Sequence, residues 1–254
     1  MTNKNWFALG IGKKNKKGKY LDMYFHPDNI SSSETNLKET PEHKLVKVSD
    51  DIPPSSVPEA YLKLHLISLR LIKPNETNLD GIFGILPNVA WTSIGPVDVE
   101  ELAEKINENK IKGSPIKVFS LDKFPSLLDY VSLIDVRIAD ASRVRLGAYL
   151  GAGTTVMHEG FVNFNAGTLG EAMVEGRISQ GVVVDENSDI GGGASTMGTL
   201  SGGNNIKISI GKNCLLGANS GLGIPLGDRC TIEAGLYLTS CLLYTSPSPR
   251  DTRE

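Results

Sequence analysis

Apolar residues recur at a strict interval of six from Ile138 through Val144, Leu150, Val156 and Val162. A helix repeats every 3.6 residues and a strand every two, so neither period alone sustains a six. A coil of short parallel strands joined by tight corners does, with one aliphatic per face pointing inward. The interval returns at Ile178, Val184 and Ile190, at Ile210, Leu216 and Leu222, and at Leu226, Ile232 and Leu238. Four places after each of these the side chain is usually small, as at Ser142, Ala148, Thr154, Gly160, Ala166, Ser188, Ala194, Cys214 and Ser220. Leu226 and Leu236 depart from that rule. A narrow prism has room for one branched aliphatic per face and a small group at each bend. The pattern predicts a left-handed parallel β-helix of hexapeptide repeats over residues 136–239, with roughly eighteen residues per turn.

The preceding chain lacks this period and reads as a smaller mixed α/β N-terminal domain over residues 1–110. Residues 6–11 predict a strand, followed by the basic turn KKNKKGK, whose best reading is a solvated hairpin loop. Residues 28–58, rich in Ser, Glu, Asn and Pro, predict a long surface segment. Residues 61–72, YLKLHLISLRLI, alternate as a half-buried strand does, which puts His65 on the polar surface side. Asp98 is placed to cap a helix through Asn109 with an apolar stripe of Val99, Leu102, Ala103 and Ile106. Residues 111–135 predict a connector. Within the repeat, residues 167–176 break the register and residues 197–205 form a Gly-rich excursion. Such insertions in solenoids commonly line the binding surface. Residues 240–254, SCLLYTSPSPRDTRE, abandon the pattern and resemble translated cloning or adapter sequence.

Composition narrows the function. A net charge of -3 over 254 residues gives no support to a nucleic-acid partner. No apolar run approaches the ~20 residues that span a bilayer. The N-terminus shows no cleavable leader, and three cysteines form no paired framework, so a reducing cytoplasm is the expected compartment. Hexapeptide β-helices host several chemistries. A zinc hydratase needs three converging imidazoles, but His158 is the only histidine of the repeat. Regular threonine rows for ice binding are absent, as is the Gly-rich N-terminal loop of a nucleotidyltransferase.

The strings HEGFVNFNAGTLG and MVEGRIS, with DIGGGASTMGTLSGG and CLLGANSGLGIPLGDRCTIEAGLYL, resemble the tetrahydrodipicolinate N-succinyltransferases of lysine biosynthesis, in their actinobacterial-type branch. GIFGILPNVAWTSIGP and YLKLHLISLRL extend the resemblance into the N-terminal domain. The resemblance implies transfer of succinyl from succinyl-CoA to the amine of ring-opened tetrahydrodipicolinate, by a homotrimer with sites between adjacent β-helices. Glu175 of MVEGRIS matches the catalytic glutamate, acting as acyl carrier or as general base. Arg177 is a carboxylate clamp on this reading. Gly192 and Ser195 match succinyl-CoA contacts, and Ala218, Glu233 and Ala234 match the groove for the pantetheine arm. Lys207 and Lys212 are candidates for the CoA phosphates. Glu159 matches an acid that lines a magnesium site on the trimer axis, but the position of a second acid seventeen residues earlier holds Ser142. Two other readings compete: a hexapeptide acetyltransferase with His158 as general base, and a non-catalytic trimeric scaffold.

Overall fold

A computed structural model describes residues 4–33, 37–199, 201 and 205–240. Backbone contacts divide the chain into two units, Met1–Ile72 with Glu76–Val131, and Lys73–Asn75 with Ser132–Glu254. The first unit therefore reaches past residue 110. Part of the expected connector is a strand of its second sheet, held there by its backbone hydrogen bonds.

In the first unit, β1 (Asn5–Ile11) lies between β2 (Tyr24–Ser31) and β3 (Lys44–Ser49), both antiparallel to it. The strand expected at 6–11 is present. The surface segment expected at 28–58 instead contains the end of β2 and all of β3, whose Val46 and Val48 are buried against the core. The strand expected at 61–72 is a helix, α1 (Val57–Ser68). Pro58 pre-sets its first turn, and Arg70, at φ 62°, ends it in the left-handed conformation. The alternation misleads because α1 is buried almost all round, polar residues included. Lys63 Nζ donates to Ser49 O at 2.6 Å and Thr77 Oγ1 at 3.0 Å, and burial lowers its pKa to about 8. His65, expected at the surface, has no exposed area. A short α2 (Ile82–Ile85) follows.

β4 (Val89–Thr92) then pairs antiparallel with β5 (Gly95–Asp98) on one side and β6 (Val118–Asp122) on the other. Between them α3 (Leu102–Ile111) starts later than expected and buries none of its residues. Asp98 does not cap it. Its carboxylate accepts from Asn15 Nδ2 at 2.6 Å and from the Glu100 amide at 2.9 Å, which holds its pKa below the usual carboxylate range. The basic turn is a surface loop, as expected, with Lys16 and Lys17 paired to Glu104 and Glu100.

The second unit is a parallel β-solenoid with sheets of six, five and four strands. One inward column stacks Ile138, Val156, Val174, Ile190, Leu216 and Ile232. A second contains Val144, Val162, Ile178, Thr196, Leu222 and Leu238. A third stacks Leu150, Thr168, Val184, Ile210 and Leu226. The two threonines in these columns are buried with their hydroxyls satisfied: Thr168 Oγ1 lies 2.7 Å from Thr154 Oγ1, and Thr196 Oγ1 donates to Arg177 O at 3.1 Å. Three places after an inward residue the corner turns with positive φ, at Asn165, Asn187, Asn213 and Asn219 and at glycines such as Gly147 and Gly193. Asparagine and glycine tolerate that region best.

Residues 167–176 do not break the register. The hexads run on through Thr168 and Val174, and the break is a single four-residue step from Val174 to Ile178. A second four-residue step joins Leu222 to Leu226. The long excursion lies between Thr196 and Ile210, where Thr199 pairs with Lys207; residues 200 and 202–204 fall outside the described set, as do Cys241 and the tail from 241. Cys214 is buried and Cys230 partly so, both free thiols.

Candidate functional site

The edge of the prism between the first and second columns carries residues 139–143, 157–161, 175–177, 191–195, 217–221 and 233–237, one segment per coil. Ser142, Glu159, Glu175, Arg177, Gly192, Ser195, Ala218, Glu233 and Ala234 all lie on this edge. The corner at 175–177 is two residues shorter than those directly above and below it. A shorter corner beside full-length ones leaves a notch.

Backbone hydrogen bonds fix the short corner: the amides of Glu175 and Gly176 both donate to Ile190 O, at 2.8 and 3.1 Å, and the Arg177 amide to Ala194 O at 2.8 Å. A Cβ on Gly176 would lie 2.4 Å from Ala194 O, so only glycine fits there. Glu175 is half-buried, and its Oε2 lies 3.5 Å from where a Cβ on Gly192 would stand. Arg177 is exposed and donates through Nη2 to Ser195 Oγ at 2.7 Å. The structure thus brings Glu175 beside Gly192 and Arg177 beside Ser195, across one coil boundary.

The notch opens as a recess of about 410 Å³ lined by Arg143, Glu159, Phe161, Gly176, Arg177, Gly193 and Ala194. Ala218, Glu233 and Ala234 lie further along the same edge, all exposed and outside the recess. Lys212 is on a different edge, ion-paired with Glu186 at 2.7 Å, and Lys207 is within the excursion, paired with Thr199. Sequence reasoning missed Arg143, Phe161 and Gly193. Arg143, Phe161, Arg177 and Ser195 hold the same place one before the second column in successive coils, but that column is visible only once each coil's length is known.

Glu159 does not present a free metal ligand. Its Oε2 is 3.3 Å from Arg143 Nη2 and its Oε1 2.9 Å from His158 Nδ1. Ser142 Oγ donates to Asp140 Oδ1 at 2.7 Å, which holds Asp140 below the usual carboxylate range. Among the described residues no three His, Cys, Asp or Glu side chains converge as a metal would need. One carboxylate already neutralised by a guanidinium does not fit magnesium within this chain. Nor is any described helix long and apolar enough to cross a membrane.

Three family descriptions match: tetrahydrodipicolinate N-succinyltransferase N-terminal over residues 12–84, the middle of the same enzyme over 86–126, and the hexapeptide repeat of succinyl-transferase over 207–240. The chain is 66% identical over 193 residues to a 2,3,4,5-tetrahydropyridine-2,6-dicarboxylate N-succinyltransferase of Pseudomonas paraeruginosa, covering 76% of this chain and 56% of the relative. It is 64% identical over 196 residues to the protein of that name from Vibrio cholerae, covering 77% of this chain and 57% of the relative. The chain thus spans little more than half the length of these curated relatives. A Campylobacter jejuni crystal structure, designated a candidate 2,3,4,5-tetrahydropyridine-2-carboxylate N-succinyltransferase, superposes with a TM-score of 0.85 at 33% identity, covering 94% of this chain and 79% of that one. The chain belongs to the tetrahydrodipicolinate N-succinyltransferase family.

Proposed function

We propose that this chain carries the succinyl-transfer site of an enzyme that acylates the amine of ring-opened tetrahydrodipicolinate from succinyl-CoA, in the diaminopimelate and lysine pathway. The observation that carries the reading is the short corner, whose Gly176 and Arg177 line a recess while the Glu175 carboxylate, next to them in the chain, faces Gly192 of the following coil. A thioester is already activated, so the protein needs only to take a proton from the incoming ammonium, hold the tetrahedral oxyanion and orient two anionic partners. Glu175 is the one carboxylate of the short corner, free to take that proton or to carry the acyl group. Arg177, fixed by Ser195, offers a planar fork to a substrate carboxylate. Gly192 leaves room for a ligand beside Glu175, and Ala218, Glu233 and Ala234 continue the same edge as a track for the pantetheine arm. On this reading the assembly is a homotrimer in the cytoplasm, with each site completed by a neighbouring copy. Glu159 is the acidic side chain each copy would offer to a magnesium ion on the trimer axis, and its ion pair with Arg143 works against that role.

Free-thiol release from succinyl-CoA, measured with the acceptor amine, tests the proposal. Glu175→Gln, nearly isosteric, should lower turnover by about a hundredfold or more, while His158→Ala, at an exposed residue, should leave it within a few-fold. Retained turnover in Glu175→Gln with loss in His158→Ala would move the chemistry to the imidazole and refute this assignment. Faster turnover with acetyl-CoA than with succinyl-CoA would refute the donor.

A further inference from the structure

A cavity of about 340 Å³ in the first unit belongs to none of the chemistry above. Four aromatic rings line it, those of Tyr24, Trp91, Phe119 and Tyr130, together with the carboxylates of Asp22 and Asp129. No lysine, arginine or histidine is among its lining residues. The rings are held by different elements. Trp91, in β4, is nearly buried and tied through Nε1 to Asp122 O at 3.0 Å. Tyr130 stands edge-on to it, ring centres 6.3 Å apart. Tyr24 is in β2, and Phe119, in β6, is 68% exposed, so one wall is open to a ligand.

The two carboxylates differ: Asp22 is fixed and Asp129 stands exposed at the mouth. Asp22 is 91% buried; its Oδ2 accepts from Tyr130 Oη and its Oδ1 from the Lys13 amide, both at 2.8 Å. Its pKa is raised, chiefly by burial. Asp129 is raised by burial too, and no described donor bonds its carboxylate. Lys13 is not among the lining residues, and its Nζ is held by Ile94 O at 3.3 Å.

Aromatic faces carry negative potential and attract a desolvated cation within about 6 Å of the ring centre. A carboxylate among several such faces suits a compact, weakly hydrated organic cation better than a hydrated metal ion, which needs converging oxygens, and it repels an anion. We propose that this cavity binds a small organic ammonium ion, with its charge over the rings and Asp129 and Asp22 as counter-charges.

The test is calorimetric titration of the full chain with choline and with 3,3-dimethylbutan-1-ol, the neutral carbon isostere of the same shape. Choline should bind saturably and the isostere at least about tenfold more weakly. Asp129→Asn, exposed at the mouth, and Phe119→Ala should each weaken choline by several-fold without lowering the melting temperature. Lys13→Met, which removes an ammonium 3.7 Å from where a Cβ on Gly95 of the lining would stand, should tighten it. Equal affinity for the neutral isostere would make the cavity merely apolar and overturn the proposal. So would the absence of saturable binding, or unchanged choline affinity in Asp129→Asn. None of these readouts involves acyl transfer, so they stand or fall apart from the catalytic reading.

Discussion

His65 shows how one misplaced side chain changes the behaviour of a whole unit. Its Nδ1–H donates to Tyr61 O at 2.8 Å and its Nε2 faces the Phe25 amide at 3.4 Å, so the neutral ring satisfies both nitrogens and a second proton has nowhere to go. Phe25, Tyr130 and Tyr24 pack edge-on around it, at 5.3, 5.7 and 6.2 Å. Burial lowers its pKa to about 4, against the Tyr61 carbonyl, which acts to raise it. Because the unfolded chain takes up this proton near pH 6.5, the folded state gives up stability as pH falls from there toward about 4. At about 1.4 kcal/mol per pH unit the loss approaches 3 kcal/mol. Asp22, raised by burial, titrates in the opposite sense. The comparison with His65→Gln, which keeps a donor and an acceptor, therefore isolates the imidazole. Urea unfolding followed by the fluorescence of Trp6 and Trp91, both in the first unit, should show the wild type losing stability across pH 6.5 to 4 and the variant losing markedly less. Parallel pH profiles would contradict a neutral buried imidazole.

Among the elements, the short corner at 175–177 decides most, and its Gly176 and the facing Gly192 of the next coil separate folding from chemistry. A Cβ on Gly176 would sit 2.4 Å from Ala194 O and 2.8 Å from Gly191 O, both backbone atoms that cannot yield without bending the next coil. Gly176→Ala should cost about 2 kcal/mol or more, read as a lower melting temperature of the solenoid. A Cβ on Gly192 meets only Glu175 Oε2, at an ordinary 3.5 Å. Gly192→Ala should therefore melt normally yet lose thiol release, because the methyl occupies the space beside the carboxylate. Loss of stability in both variants, or of activity in neither, would argue against the notch as the site. The hexads were legible because one aliphatic per face per coil is a direct print of the prism on the chain. The short corner was not, since Thr168 is a polar residue in an aliphatic column and so hid the hexads that reach Val174. Alternation in residues 61–72 failed for a related reason: with Lys63 and His65 both buried, polarity no longer marks the outward face.

For the molecule as a whole, a coil contacts only the coils on either side of it, so stability accumulates along the axis instead of residing in one core. That connectivity also explains how the site was readable. Glu175, Arg177, Gly192 and Ser195 are too far apart in sequence for any local period to join them, and only the motif strings placed them together; the solenoid supplies the physical reason, a return to the same edge every sixteen or eighteen residues. Arg143 shares that edge but falls outside the motif strings, and Phe161, although inside HEGFVNFNAGTLG, carries no polar group to single it out, so both went unnoticed. The same stacking sets where the solenoid opens first. Val156, Val174, Ile190 and Leu216 are fully buried between coils on both sides, whereas Ile138 and Leu238, the first and last described members of their inward columns, are only half-buried. Local opening follows buried contact, so the middle coils should exchange their amide hydrogens most slowly and the segments around residues 138 and 238 fastest. Hydrogen exchange read by mass spectrometry on overlapping peptides should show that gradient rising from both ends toward the coil that carries Glu175. A flat profile would mean that the solenoid opens as one cooperative block, and would remove nearest-neighbour stacking as the account of its stability.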